Sequence, residues 1–290
     1  MRLFLLPIST RQSLIYCQRL NLQLSERTTI LDKVATKSAN IWLNWEKKES
    51  GWQKKVTSYG NKLFQRLPYA EWGLKSIPPL SARRKRDEIE GKEEVRTEYP
   101  GGFIDSREVH DALQGLGSKD RQSFHTKWFW GSIIGMPITT PLVLLPVVPN
   151  LPFFYLCFRA WSHWRARGGS KHLEFLLDNK IVKLSPSELL RTAYMEATMD
   201  TSIEELDREM ESIRSGSSVK SIPDGTEEKM LLSKSSGRIF AEYLHVPELA
   251  VEVERAVWQV EKALKAQQEL REEKAELLDA TTRKQSRSDR

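Results

Sequence analysis

The side chains that could carry chemistry are few and scattered in this sequence. The five histidines and two cysteines share no spacing typical of a metal site, and two cysteines are too few for a closed zinc site. They are His110, His125, His163, His172, His245, Cys17 and Cys157. No glycine-rich dinucleotide motif, phosphate loop or nucleophile elbow is present. We therefore expect a protein that is not an enzyme, with no catalytic, cofactor-binding or metal-binding residues and no cofactor.

Two local patterns have both a chemical and a structural interpretation. The sequence Gly168-Gly169-Ser170-Lys171 resembles half of a phosphate loop, but it lacks the first glycine and the preceding strand, and a turn after a helix explains it equally well. His125 and His163 flank a long apolar run and would lie at one membrane interface if that run formed a hairpin. They are then either ordinary interfacial histidines or a proton-handling pair.

The apolar run is the dominant feature of the chain. Thirty-one residues, 128–158, contain no Asp, Glu, Lys, Arg or His. A spanning helix needs about 20 such residues, so the run is too long for one straight span and short for two. Prolines lie both in its first part and in its middle, at Pro137, Pro141, Pro146, Pro149 and Pro152. We predict helix 128–145, a turn at 146–152 and helix 153–164.

This pattern predicts an all-α membrane protein with one short proline-kinked transmembrane hairpin, residues 127–165. Tryptophans at both ends of the run, and basic residues at both flanks, favour a hairpin with both flanks on the same side, in the cytoplasm or, in a mitochondrion, in the matrix. Two alternatives remain: a single kinked span, or a buried hairpin in the core of a soluble protein. The overall composition, 39 % hydrophobic and 29 % charged, excludes a multi-spanning carrier.

The remaining chain divides into five segments. Residues 1–28 form a basic N-terminal segment and 29–74 a basic amphipathic helical region. Residues 75–126 form a charged connector with one short helix, 105–116. Residues 166–280 form a helical C-terminal region, and 281–290 a disordered tail. In the C-terminal region, capping boxes at Ser185–Glu188 and Thr201–Glu204 predict helix starts. The last helix is predicted from Pro247 to about Ala280. Because its apolar seam ends at Gln267, the sequence does not support a sustained coiled coil.

The two N-terminal segments also allow more than one interpretation. Residues 1–25 are rich in arginine and free of acidic residues, as mitochondrial targeting segments are. Phe4, Leu5, Leu6 and Ile8 fit a structural strand or an anchor equally well. The helix predicted between 29 and 67 has a tryptophan-containing apolar stripe and many lysines, so it can lie on an anionic membrane or pack against the C-terminal helix. Its aromatic spacing argues against nucleic-acid binding.

The chain as a whole resembles the mitochondrial K⁺–H⁺ exchange-related proteins of fungi. The resemblance rests on MRLFLLPIST, PLVLLPVVPNLPFFYLCFRAWSHW, GGSKHLEFLLDN and RIFAEYLHVPELAVEVERAVWQVEKAL, in this order. It implies a mitochondrial inner-membrane protein linked to potassium–proton exchange and matrix volume. It also implies that Met1–Thr10 is retained.

The residues limit what this resemblance implies about mechanism. An exchanger of K⁺ for H⁺ needs ionisable groups along its path. The apolar run offers only non-titrating polar side chains: Ser132, Thr139, Thr140, Asn150 and Tyr155. We therefore expect a subunit or regulator of an exchange complex, for which a homo-oligomer is one option. Its expected partners are membrane lipid and other subunits, and K⁺ and H⁺ are the ions that the system transports. The alternative is a membrane-anchored matrix scaffold or assembly factor, for example one associated with ribosomes.

Overall fold

The computed structural model describes residues 1–18, 66–91, 94–139, 151–199, 228–233 and 235–288, with isolated positions between 44 and 58. The chain divides into two compact units. The first contains Met1–Leu6 and Leu14–Arg191, and the second contains Pro7–Ser13 and Thr192–Arg290.

The first unit is built on a mixed four-stranded sheet. Its strands are β1 (Arg2–Pro7), β2 (Ser13–Gln18), β3 (Val95–Tyr99) and β4 (Val182–Pro186), in the order β2-β1-β3-β4. β1 pairs with β3 and β3 with β4 in parallel. Four consecutive residues of β1, 3–6, are fully buried. Such a continuous apolar run is typical of a strand covered on both faces.

Among the described residues of the first unit, five helices follow β2. They are α1 (Tyr69–Ser76), α2 (Ala82–Ile89), α3 (Ser106–Gly117), α4 (Lys119–Thr139) and α5 (Leu151–Asp178). The start of α3 is fixed by a capping box between Asp105 and Glu108. α1, α3 and α4 pack against α5, and the buried core lies between these helices and the sheet, around Leu3, Leu5, Leu74, Val95, Leu113 and Leu173.

Gly169 explains how α1 approaches α5 so closely. A Cβ atom built on Gly169 would lie 2.0 Å from the carbonyl oxygen of Leu74 in α1. Only glycine leaves room for the backbone of α1 at this crossing. The sequence Gly168-Gly169-Ser170-Lys171 therefore lies inside α5 as a packing site, and is neither a phosphate loop nor the turn predicted after a membrane helix.

The second unit is helical. It contains α6 (Glu188–Met199) from Thr192 onward, α7 (Ser236–Tyr243) and α8 (Glu248–Ser288). Tyr194 is fully buried, meets Phe240 edge to face at 4.9 Å, and donates its hydroxyl hydrogen to the carbonyl oxygen of Pro7 at 2.8 Å. α8 packs against α7, and its described buried residues lie between Leu249 and Val260. It continues to Ser288, into the tail that was predicted to be disordered.

The prediction of an all-α membrane protein with a transmembrane hairpin at 127–165 is wrong. The fold contains a four-stranded sheet, and none of the described helices combines the length and the apolar character needed to cross a bilayer. The single kinked span fails on the same finding. The physical reason is that only part of each helix lies in the apolar run: α4 begins at Lys119 and α5 continues to Asp178, so both carry charged residues into the first unit.

Several local predictions are also corrected or lie outside the described residues. The connector 75–126 contains α2, β3, α3 and the start of α4. The capping residue before α6 is Ser187, whose Oγ accepts from the amide of Leu190 at 3.4 Å, so this helix starts two residues later than predicted. The N-terminal apolar residues form a strand, as one alternative held. Three predictions fall largely or wholly outside the described residues: the turn at 146–152, the Thr201 capping box and most of the region 29–67.

Candidate functional site: a buried charge cluster and an aromatic arm

Three helices of the first unit bring ionisable side chains together in its interior. We call this group the charge cluster; it consists of Glu71, Lys75, His125, Arg159, Ser162 and His163. α1 supplies two residues four apart, α4 supplies one, and α5 supplies three within one turn. Residues three and four apart lie on one face of a helix. Each helix therefore directs its polar residues at the same point.

Glu71 is the centre of the charge cluster. Its carboxylate accepts hydrogen bonds from Nη1 of Arg159 at 2.9 and 3.2 Å, and another from the hydroxyl of Ser162. Burial raises the pKa of Glu71, but the hydrogen bond from Ser162 and the charges of Arg159, His163 and Lys75 outweigh it, so the pKa lies below its usual value. The buried carboxyl group is therefore ionised at neutral pH.

Lys75 lies in a cage of aromatic rings beside this carboxylate. Its Nζ donates to Oγ of Ser162 at 2.9 Å and lies 3.1 Å from the centre of the Trp72 ring. The rings of Phe158 and Trp161 lie 5.4 and 5.8 Å away. A cation over an aromatic face is stabilised by the negative charge density of the ring. The rings therefore stabilise the positive charge of a buried ammonium group.

The two histidines form a chain of hydrogen bonds that fixes their protons. Nη2 of Arg159 lies 2.7 Å from Nε2 of His163, and Nδ1 of His163 lies 3.0 Å from Nδ1 of His125. Arginine can only donate, so Nε2 of His163 accepts and its Nδ1 carries the proton that His125 accepts. Nε2 of His125 then carries a proton, and it has no partner among the described residues.

Both histidines are neutral over most of the pH range. Burial lowers the pKa of His125 to about 4, against an opposing contribution from Glu71. Burial lowers the pKa of His163 to about 4 as well, and Arg159 and Lys75 lower it further while Glu71 raises it. The charge cluster therefore holds one negative and two positive charges near pH 7.

A metal ion is a possible ligand that the geometry alone would allow. One ligand atom from each of Glu71, His125 and His163 lies within 4.8 Å of the others. However, a metal on Nδ1 of His163 would require a proton on Nε2, which faces the N–H of Arg159 at 2.7 Å. The cationic side chains of Arg159 and Lys75 already lie in the charge cluster. The side chains therefore do not fit a divalent cation while Arg159 occupies its position.

The second feature is an exposed apolar extension of the same two helices. We call it the aromatic arm, comprising α4 from Trp128 onward and α5 up to Trp164. Its exposed large side chains are Trp128, Trp130, Ile134, Ile138, Phe154, Tyr155, Trp161 and Trp164. On the sides that face each other, α4 and α5 pack together. The base of the arm on α5 therefore overlaps the charge cluster, whose residues Arg159, Ser162 and His163 lie on the same stretch of helix.

Sequence reasoning found some of this site and missed the rest. It placed His125 and His163 together, and the structure confirms their proximity. It missed Glu71, near the end of a region interpreted as an amphipathic helix, and Lys75, the first residue of the predicted connector. A signal was present: Glu71 and Lys75 are four apart beside Trp72, and Arg159, Ser162 and His163 recur at three- and four-residue steps at the end of an apolar run.

The fold and the site define a class of protein: an α/β unit whose helical hairpin is tied at its base by a buried charge cluster and exposes an aromatic arm. The chain belongs to the mitochondrial K⁺–H⁺ exchange-related family, whose profile matches residues 2–177. This confirms the resemblance seen in the sequence. The matched region includes the charge cluster and all described residues of the aromatic arm. The family description links the chain to mitochondria and to potassium–proton exchange.

Two fungal relatives are similar to the chain over most of their length. One is an uncharacterized protein of Schizosaccharomyces pombe, 32% identical over 193 residues, which cover 67% of this chain and 82% of the relative. The other is an uncharacterized protein of Saccharomyces cerevisiae, 28% identical over 282 residues, which cover 89% of this chain and 84% of the relative. No solved structure matches the chain significantly.

Proposed function

We propose that the protein serves mitochondrial potassium–proton exchange at the inner membrane as a subunit or regulator, and that another component carries the ions. The family description supports the link to exchange. The described units are proposed to face the matrix. The basic residues beside the aromatic arm, Lys127 and Arg165, support this side, because positively charged flanks of membrane-contacting segments remain there.

The observation that carries the regulatory role is the state of the charge cluster. A group that exchanges protons during transport needs a pKa near the working pH. Here Glu71 is held ionised by Arg159 and Ser162, and both histidines are held neutral with a pKa of about 4. These side chains are committed to stabilising the hairpin. They support a role in which the protein positions or controls an exchanger.

The test separates participation in exchange from ion transport by the protein itself. Mitochondria that lack the protein should swell more slowly in potassium acetate, and the wild-type chain should restore the rate. The purified full-length chain in liposomes with a potassium gradient should produce no proton flux. Normal swelling without the protein would refute the link to exchange. Potassium-driven proton flux in these liposomes would refute the role of subunit or regulator.

The proposed side of the membrane has its own test. Protease added to mitochondria whose outer membrane has been ruptured should spare tags placed at either end of the chain. Rupture of the inner membrane should then expose both tags. Digestion of either tag before that step would contradict the matrix location.

A further inference from the structure

We propose that the aromatic arm is a docking surface for an anionic lipid bilayer, which it enters from one side without crossing. This inference rests on the proposed function only in placing the protein at the inner membrane. It assigns the contact to a defined surface and to one class of lipid.

The first argument is the exposed apolar stripe of α4. Trp130, Ile134 and Ile138 recur every four residues, which places them on one face, and their exposed fractions rise from 57% to 67% to 76% away from the charge cluster. α5 adds Phe154, which is 60% exposed. Contiguous exposed apolar surface of this kind marks a site of interaction with a partner or a membrane.

The order of residue types along the arm favours a lipid surface over a protein groove. Four tryptophans lie near its base, at Trp128, Trp130, Trp161 and Trp164, and aliphatic and phenylalanine side chains lie farther out. Tryptophan prefers the boundary between water and hydrocarbon, because its ring is apolar and its N–H requires a polar partner. The order of side chains along the arm therefore matches the order of layers in a bilayer leaflet, from polar headgroups to hydrocarbon.

The charges around the base select the class of lipid. Between Asp120 and Glu174 the sequence contains no acidic residue. Arg121, Lys127 and Lys171 are exposed there. Lysine and arginine beside a membrane-contacting segment are attracted to anionic headgroups. The basic side chains at the base of the arm therefore favour a bilayer that contains anionic lipid.

The described part of the arm is long enough to enter one leaflet. From Trp128 to Thr139, α4 rises about 18 Å at its helical pitch. The hydrocarbon core of a bilayer is about 30 Å thick. This stretch reaches into one leaflet.

The experiment is co-sedimentation of the purified full-length chain with vesicles. We expect binding to phosphatidylcholine vesicles containing cardiolipin to be at least about tenfold tighter than to phosphatidylcholine alone, and to weaken as salt is added. The variant with Ile134→Glu and Ile138→Glu should bind the anionic vesicles at least about tenfold more weakly. Its control carries Ile89→Glu and Val251→Glu, which add the same charge at sites off the arm that are 58% and 56% exposed.

Each alternative outcome refutes a stated part of the inference. Equal loss of binding in the arm variant and its control, or unchanged binding in both, would refute the arm as the docking surface. Equal binding to neutral and anionic vesicles would refute the selection of anionic lipid. A dimer in solution that the arm variant alone converts to monomers, without vesicle binding by the wild type, would show that a second copy covers the arm.

A second measurement makes the test independent of these variants. Lipids brominated along one acyl chain should quench the tryptophan fluorescence of the wild-type chain in anionic vesicles, and an absence of quenching would refute entry into the leaflet. The result is also separable from the proposed function. If the wild type binds anionic vesicles while mitochondria that lack it swell normally, the docking surface stands and the role in exchange fails.

Discussion

Substitution of Glu71 by glutamine is the sharpest perturbation of the charge cluster. Glutamine keeps the size of the side chain but removes the negative charge that Arg159 and Ser162 bind. The guanidinium of Arg159 is only 15% exposed and Lys75 is buried, so two cations would remain with no carboxylate in contact. Removing one partner of a buried ion pair costs about 3–5 kcal/mol. We expect about 3 kcal/mol here, the lower end, because Arg159 keeps some contact with water.

The assay is urea unfolding of the full-length chain at neutral pH, followed by tryptophan fluorescence. With a slope of about 2 kcal/mol per molar urea, the loss corresponds to a midpoint lower by about 1.5 M for the first unit. Arg159→Met removes one of the two cations. The double variant of Glu71→Gln and Arg159→Met should therefore be more stable than the sum of the single losses predicts, by about 1–3 kcal/mol.

The matched control is Glu94→Gln in the same unit. Glu94 binds Arg96 and Lys183 on the surface, and exposed ion pairs of this kind contribute little to stability. Its urea midpoint should stay close to that of the wild type. The reasoning fails if Glu71→Gln shifts the midpoint no more than this control does. It also fails if the losses of Glu71→Gln and Arg159→Met add without coupling, because the carboxylate and the guanidinium would then be energetically independent.

Three further predictions concern the same unit. Because the folded pKa of His125 and His163 is about 4 and the unfolded value is near 6.5, the unfolded chain binds more protons between these values. Stability should be complete above pH 7 and fall from about pH 6.5 to pH 4, by up to about 3 kcal/mol per histidine, in urea midpoints measured across pH; a flat profile would contradict this. Zinc should leave the thermal midpoint of the wild type unchanged and raise that of Arg159→Met, in which Nε2 of His163 is free to carry a proton; stabilisation of the wild type would show that the metal fits beside Arg159. Gly169→Ala should destabilise the first unit by about 2 kcal/mol or more, since its Cβ would overlap α1. Gly115→Ala in α3, whose Cβ would have nothing within 4 Å, should stabilise the same unit by up to about 1 kcal/mol. The same sign for both variants would refute the packing argument.

Several of the described helices were predictable from the sequence, because their signals are local. The short helix predicted at 105–116 agrees with α3 within one residue at each end, and Pro247 predicted the start of α8. The two helices of the apolar run were also predicted, but with their outer ends too short. Their continuations beyond the run are polar, so hydropathy alone could not show that the same helices extend into the first unit.

The sheet was missed because its strands carry weak or ambiguous local signals. β3 lies in a charged segment, yet Val95, Thr97 and Tyr99 are buried while Arg96 is exposed, a period of two that was present in the sequence. β1 combines arginine with a short apolar run, and a targeting segment has the same composition. Only its pairing with β3, more than 90 residues away, decides between them. Removal of residues 1–18 as a targeting segment would delete β1 and β2 from the sheet.

The charge cluster and the aromatic arm are linked by the absence of acidic residues between Asp120 and Glu174. Between Asp120 and Glu174, α4 and α5 have no acidic residue of their own, so the buried Arg159 can be neutralised only by a carboxylate from another element. α1 supplies it as Glu71, and the neutral forms of His125 and His163 add no further charge. The pairing removes one cation from the base of the arm and leaves Lys127 and Arg121 exposed there. The hairpin can thus be fixed rigidly to the first unit while its outer surface keeps the positive charge and the apolar side chains that an anionic bilayer would bind.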